Sequence, residues 1–142
     1  MSEGREKIKA CVGVMILKDG KVLLGKRKGK HGSGEYSCPG GHLEFGDSFK
    51  DCVMNEAFEE AGVKIKNIKF QCVSNIFRHE GRQDILICFT ADWESEEPRD
   101  LPEERIGEWQ WCDVNNPPQP LFYPSEVLID SYKTGKNYYD KE

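Results

Sequence analysis

Long apolar runs are missing from this sequence. The longest, Ala10 to Leu17, has eight residues counting Gly13. A membrane-spanning helix needs about 20, so the chain is expected to span no membrane. A basic surplus is missing too, since the net charge is −5. A protein that coats polymeric nucleic acid would carry a basic face, so that class is disfavoured. A small phosphate ligand stays open, because bound cations can reverse the local field. Paired cysteines are also lacking. Cys11, Cys38, Cys52, Cys72, Cys88 and Cys112 stand apart, with no zinc-knuckle spacing. The opening MSEGREKIKA has no apolar stretch ahead of a cleavage site, so no secretory signal is expected. The thiols then read as reduced, small packed hydrophobes of a cytoplasmic protein. Internal repeats, low-complexity tracts, a Ser-His-Asp set and a nucleophilic-cysteine context are all absent.

What remains is 142 residues, 37% apolar and 32% charged. That suits one globular unit over residues 1–142 with a sizeable core. Residues 9–17 are β-branched and apolar, then Asp19-Gly20 turns the chain into VLLGKR, a hairpin signal. GKHGSG reads as flexible, EYSC as a short segment, and Pro39-Gly40-Gly41 as a tight turn. Residues 48–61 predict a helix with Ser48 as N-cap, Asp51 three residues on, and Gly62 at C′. Strand-like runs return at 63–77, 85–91 and EWQWCDV. An acidic loop covers 93–107, and an amphipathic helix is expected near 124–133. Hairpin-connected strands with two helices predict an α+β layered sandwich.

The first helix carries the chemistry. At about 100° per residue, Phe49, Cys52 and Val53 form an apolar stripe, and Glu56 and Glu60 continue along it. Glu59 lies within a turn of both. A solvated helix would place its acids opposite the stripe. Three carboxylates this close repel one another, and a hard cation such as Mg²⁺ or Mn²⁺ is the simplest relief. An acid-rich helix end exposed to water is the plain alternative.

The segment GGHLEFGDSFKDCVMNEAFEEAGV closely resembles the Nudix box over Gly41 to Val63. Glu56, Glu59, Glu60 and Gly62, with apolar Ala57 and Val63, fall on the expected positions. The resemblance implies a Nudix-type α/β/α sandwich with a mixed sheet between helices. VLLGKRKG, SCPGGHLEFG, EWQW and PLFYP look like the subgroup that includes cytosolic nucleoside-triphosphate diphosphatases.

That likeness implies metal-dependent attack of water on phosphorus, yielding nucleoside monophosphate and pyrophosphate. Glu56 and Glu60 are the expected metal ligands, Glu59 a third ligand or the base, and the Gly41 carbonyl another. Glu104, five residues before Trp109, is expected to join them or to be a solvated loop acid. A homodimer is an assembly often found among such enzymes.

Two positions depart from the box. Asp47 stands where it has glutamate and Asn55 where it has arginine. In the family these partners are thought to brace the loop against the helix. Asp47 with Asn55 can still hydrogen-bond, without the charge assistance that roughly doubles such a bond. A looser working site is expected. A non-catalytic nucleotide-binding module, or an enzyme acting on a dinucleotide or a nucleotide-sugar diphosphate, is the alternative.

Weaker signals complete the reading. GKVLLGK at 20–26 fails as a P-loop, since Arg27 replaces Ser/Thr and VLL reads as strand. Lys26 and Arg27 are candidates for holding phosphates, with a solvated loop as the alternative. His31, His42 and His79 lack metal-ligand spacing, and His42 is a candidate for touching substrate. Phe122 is a candidate to stack on a base or to pack the last helix.

Overall fold

A computed structural model describes residues 7–78 and 81–140; His79 lies outside them. Strand β1 (Lys7–Lys18) and strand β2 (Lys21–Arg27) form the expected hairpin, with Leu17 opposite Val22. Asp19 at φ 52° and Gly20 at φ 79° take the left-handed conformations of its tight turn. Then come β3 (Tyr36–Ser37), β4 (Gly40–His42) and helix α1 (Phe49–Ala61). Long strands β5 (Lys64–Arg78) and β6 (Arg82–Ser95) follow, then β7 (Ile106–Asp113), helix α2 (Tyr123–Thr134) and β8 (Tyr138–Tyr139).

The sheet order is β3-β2-β1-β6-β5-β8, with β4 paired to β1 and β7 to β2. The β1–β6 and β5–β8 pairs are parallel and the others antiparallel. This is the expected α+β sandwich, a mixed sheet between two helices. No helix among the described residues is long and apolar enough to cross a membrane.

Alternation along β1 builds both halves of the core. Val12, Val14 and Ile16 meet Cys52, Val53 and Ala57 of α1. Met15, from the opposite face, packs with Val127, Leu128 and Ile129 of α2. Each such side chain, fully buried, contributes about 1.5–3 kcal/mol before entropy is counted.

Helix α1 has the ends read from the sequence. Ser48 Oγ accepts from the Asp51 N–H at 3.0 Å, and Gly62 closes the helix at φ 77°. One residue of the predicted stripe differs. Phe49 is 44% exposed, and its ring leans on Phe89 of β6 at 5.8 Å.

The segment read as a tight turn is also different. Gly40–His42 is a strand, pairing Gly40 with Gly13, Gly41 with Val12 and His42 with Cys11. Close approach is what requires glycine there: a Cβ on Gly40 would lie 2.5 Å from the Val12 carbonyl oxygen. That oxygen belongs to the backbone and cannot swing aside. Gly40→Ala should therefore lower stability by about 1–3 kcal/mol, read as a reduced Tm in thermal unfolding. An unchanged Tm would mean that β4 has more room beside β1 than this contact allows.

Candidate functional site

The site lies where α1 crosses β4. Glu60 is 4% exposed, and its Oε1 accepts the Gly40 N–H at 2.9 Å. Glu56, one turn earlier, presses its carboxyl so closely on Gly41 that a Cβ there would lie 2.5 Å from Glu56 Cδ. The end of α1 is pinned from the far side by Trp109, whose Nε1–H donates to the Glu60 carbonyl at 3.1 Å. Gly25 makes room for that indole, since a Cβ would stand 2.7 Å from its ring.

These acids sit uneasily. Burial pushes Glu60 up to about 8; Glu56 and Glu104 add repulsion, while the Gly40 N–H and Arg105 pull the other way. Burial also pushes Glu56 up to about 7, followed by the charges of Glu59 and Glu104. So Glu104 does approach the cluster, although it comes from the loop before β7. Glu59 is exposed at its edge. A cavity of about 160 Å³ beside them is lined by Glu44, Asp47, Glu56, Glu59, Asn55 and His42 among others. The donor set is oxygen-rich and anionic, which fits a hard divalent cation.

Asp47 and Asn55 do not make the hydrogen bond that was open to them. Asp47 Oδ2 accepts instead from the Glu44 N–H at 3.3 Å, closing its own loop. Asn55, on the exposed side of the helix, forms no hydrogen bond to it among the described residues. The shorter Asp side chain is satisfied locally and does not cross to the helix.

On the other side of β4 lies a larger cavity of about 250 Å³, between the sheet and the start of α2. Arg27, Arg105, His42 and Phe122 line it. Arg27 stacks on the Phe122 ring at 3.8 Å and its Nε–H donates to the His31 carbonyl at 2.9 Å. Lys26 is not among the residues that line this cavity. A register shift of β2 against β7 falls between Leu24 and Lys26, and Lys26 stands opposite Gly107.

Arg82 and Asp84 are among the lining residues that sequence reasoning missed. They precede the apolar run of β6, where polar types hid the strand. Arg82 Nη2 lies 3.1 Å from His42 Nε2 and Arg82 Nε lies 3.5 Å from Asp84 Oδ1. An arginine only donates, so His42 accepts at Nε2 and carries its proton on Nδ1. Burial, then Lys9 and Arg82, lower the His42 pKa, against the pull of Asp84. The absence of ligand spacing among the histidines also proved local. In space, donor atoms of Cys11, His42 and Asp84 lie within 4.8 Å of one another, with Arg82 bound among them.

With the fold and the acid cluster in place, the class is defined. Residues 7–130 match the NUDIX domain family model, and the chain belongs to the Nudix hydrolases, which act on phosphoanhydride bonds. It is 30% identical over 121 residues to the oxidized purine nucleoside triphosphate hydrolase of Danio rerio, covering 81% of this chain and 72% of that one. It is 33% identical over 114 residues to the NAD-capped RNA hydrolase NudC of Actinobacillus succinogenes, covering 75% of this chain and 42% of NudC. The chain thus spans about two fifths of the NudC relatives it matches. The crystal structure of a MutT NUDIX hydrolase from Burkholderia pseudomallei superposes with a TM-score of 0.83 at 26% identity, covering 89% of this chain and 98% of that one.

The raised carboxyls predict a pH dependence. A folded acid with a raised pKa keeps a proton that the unfolded chain has lost, so stability falls as pH climbs from about 4.3 to the folded value. His42 acts in the opposite sense, but only below about 6.5. Without divalent cations, Tm should decline between pH 6.5 and 8.5, and Glu60→Gln should flatten that decline. Equal slopes for the two proteins in a pH series of thermal melts would contradict it.

Proposed function

We propose that this protein is a divalent-metal-dependent pyrophosphohydrolase that cleaves a nucleoside triphosphate to the monophosphate and pyrophosphate. The observation that carries it is the pair Glu56 and Glu60, one turn apart, held against Gly41 and Gly40 with both carboxyls raised. Glu56 and Glu60 would hold the metal, with Glu59, Glu104 and the Gly41 carbonyl as the remaining candidates. Bound Mg²⁺ or Mn²⁺ would neutralise developing charge on the phosphates and lower the pKa of the attacking water.

The chain's own residues do the rest. Glu60, with its Oε1 anchored by Gly40, is a fixed ligand, whereas exposed Glu59 is free to take a proton from water. Arg27 and Arg105 place positive charge in the neighbouring cavity, where the substrate's phosphates would be steered toward the acids. His42 lines both cavities and is suited to touch substrate between them. Phe122 offers an aromatic surface for a base. The match across most of the zebrafish relative supports a small nucleotide over a polymer end. Six free thiols, five of them buried, fit a reducing cytoplasmic setting.

The test is pyrophosphate release from a panel of nucleoside triphosphates with Mg²⁺, with dinucleotides and nucleotide sugars alongside. Glu60→Gln should lower kcat at least about hundredfold, since it removes a charged ligand. Turnover of dinucleotides alone would replace the triphosphate reading. Retained turnover in Glu60→Gln would remove the carboxylate cluster from the chemistry.

A second reading is a nucleotide-binding module with weak turnover, favoured by the missing contact between Asp47 and Asn55. Asn55→Arg restores a cation facing Asp47. If the loose brace limits turnover, kcat should rise about three- to tenfold, the return on roughly 1 kcal/mol of regained transition-state support. No gain in steady-state kcat would show that the loop is braced well enough as it stands.

A further inference from the structure

Helix α1 does not finish its own last turn. The final carbonyls of a helix have no partner within it, and this helix carries no basic residue there. Both needs are met from the loop that leads into β7. The Ala61 carbonyl accepts the Arg99 N–H at 3.0 Å, next to the Glu60 carbonyl already bound by Trp109. The Arg99 side chain lies across the helix end, where a Cβ on Gly62 would stand 2.9 Å from its Nε. A cation suits that position, since the C-terminal end of a helix carries partial negative charge.

A single carboxylate joins the two segments that hold this turn. Asp100, the neighbour of Arg99, accepts the Glu108 N–H on its Oδ1 at 2.6 Å, and Glu108 is the neighbour of Trp109. Glu108 has φ 52°, a left-handed conformation uncommon outside glycine. It also sits in a bulge. Leu24 stands opposite Gln110 and Lys26 opposite Gly107, so Gly25 alone faces both Glu108 and Trp109. A bulge takes a residue out of the ladder and re-aims its neighbours. Asp100 satisfies the N–H of that bulge, and the re-aimed neighbour is Trp109. The stretch between is tied as well: the Glu104 N–H donates to the Leu101 carbonyl at 2.9 Å, and the Lys28 N–H to the Arg105 carbonyl at 2.7 Å. This stretch carries Glu104 and Arg105, whose charges act on Glu56 and Glu60.

We propose that Asp100 is a positioning residue of the metal site, fixing the last turn of α1 and the place of Glu104 through one hydrogen bond to the Glu108 N–H. This deepens the metal-hydrolase reading above and rests on it. Asp100 is exposed and acts through its neighbours, Arg99 on one side and the Glu108 bulge on the other. What the role requires is an acceptor oxygen at a fixed reach, and the negative charge is incidental to it.

The experiment measures binding of Mn²⁺ alone, by calorimetry, to the parent and to Asp100→Ala, Asp100→Asn and Asp100→Glu. Asparagine keeps the acceptor oxygen at the same reach without the charge. Glutamate keeps the charge on an arm one methylene longer. Asp100→Ala and Asp100→Glu should each raise the Kd for Mn²⁺ about tenfold, the loss typical when a group that orients metal ligands is removed. Asp100→Asn should stay within about threefold of the parent. Val127→Ala, which thins the half-core beneath α2, should lower Tm and leave the Kd for Mn²⁺ unchanged.

An unchanged Kd in Asp100→Ala overturns the proposal and leaves the metal reading standing. So does an Asp100→Glu that binds Mn²⁺ as tightly as Asp100→Asn, because reach would then not be what matters. A Val127→Ala that weakens Mn²⁺ as much as Asp100→Ala overturns it too, since lost stability alone would explain the effect. If Asp100→Ala does not fold, the order of the Asn and Glu variants decides. A parent that binds no Mn²⁺ overturns the metal reading itself, an outcome distinguishable because the parent fails along with every variant.

Discussion

The hydrogen bond from the Gly40 N–H to Glu60 Oε1 is the contact on which the site's construction turns. It holds a carboxyl that burial and neighbouring acids oppose, and it does so with backbone, which cannot rotate away. For it to form, β4 must lie flush against β1, and only glycine at position 40 permits that. Helix α1 must in turn end at a fixed height on the sheet. Trp109 sets that height through the Glu60 carbonyl, and Gly25 lets Trp109 lie down. Two glycines and one indole, scattered over 85 positions of sequence from Gly25 to Trp109, thus serve one carboxylate. Stability given up at Glu60 is offset by the apolar half-core of α1 directly beneath it.

Features that depend on near neighbours in the chain are legible from the sequence alone. The cap at Ser48, the stop at Gly62 and the turn at Asp19-Gly20 are local chemistry, and the fold contains all three. The burial of Glu60 is legible too, because helical periodicity projects it onto the stripe of Cys52 and Val53. Phe49 follows the same periodicity and is nonetheless partly exposed, since periodicity gives a direction but not how much neighbouring chain covers the first turn. Gly40–His42 reads as a turn because glycine in sequence signals either conformational freedom or close approach, and only the partner strand decides which.

Arg82 and Asp84 are illegible for a different reason. Their strand is defined by its parallel pairing with β1, in which Lys9 stands opposite Asp84 across more than seventy residues of chain. Nothing in RQD alone distinguishes a buried charged pair from a solvated loop. The same holds for Arg105, which acts on Glu60 and Glu56 of α1, more than forty residues earlier in the chain.

The two cavities divide along one strand. A Cβ on Gly41 would meet the Glu56 carboxyl, while the side chain of His42, the next residue, lines both cavities. One side gathers carboxylates and the other guanidinium groups, with a neutral imidazole between them. A nucleotide is itself divided this way: phosphates that need cations, and a base that needs shape and hydrogen bonds. Asp84 offsets one of the three arginine charges of that cavity and is held by Arg82 beside it, so the positive charge left to meet a phosphate is that of Arg27 and Arg105.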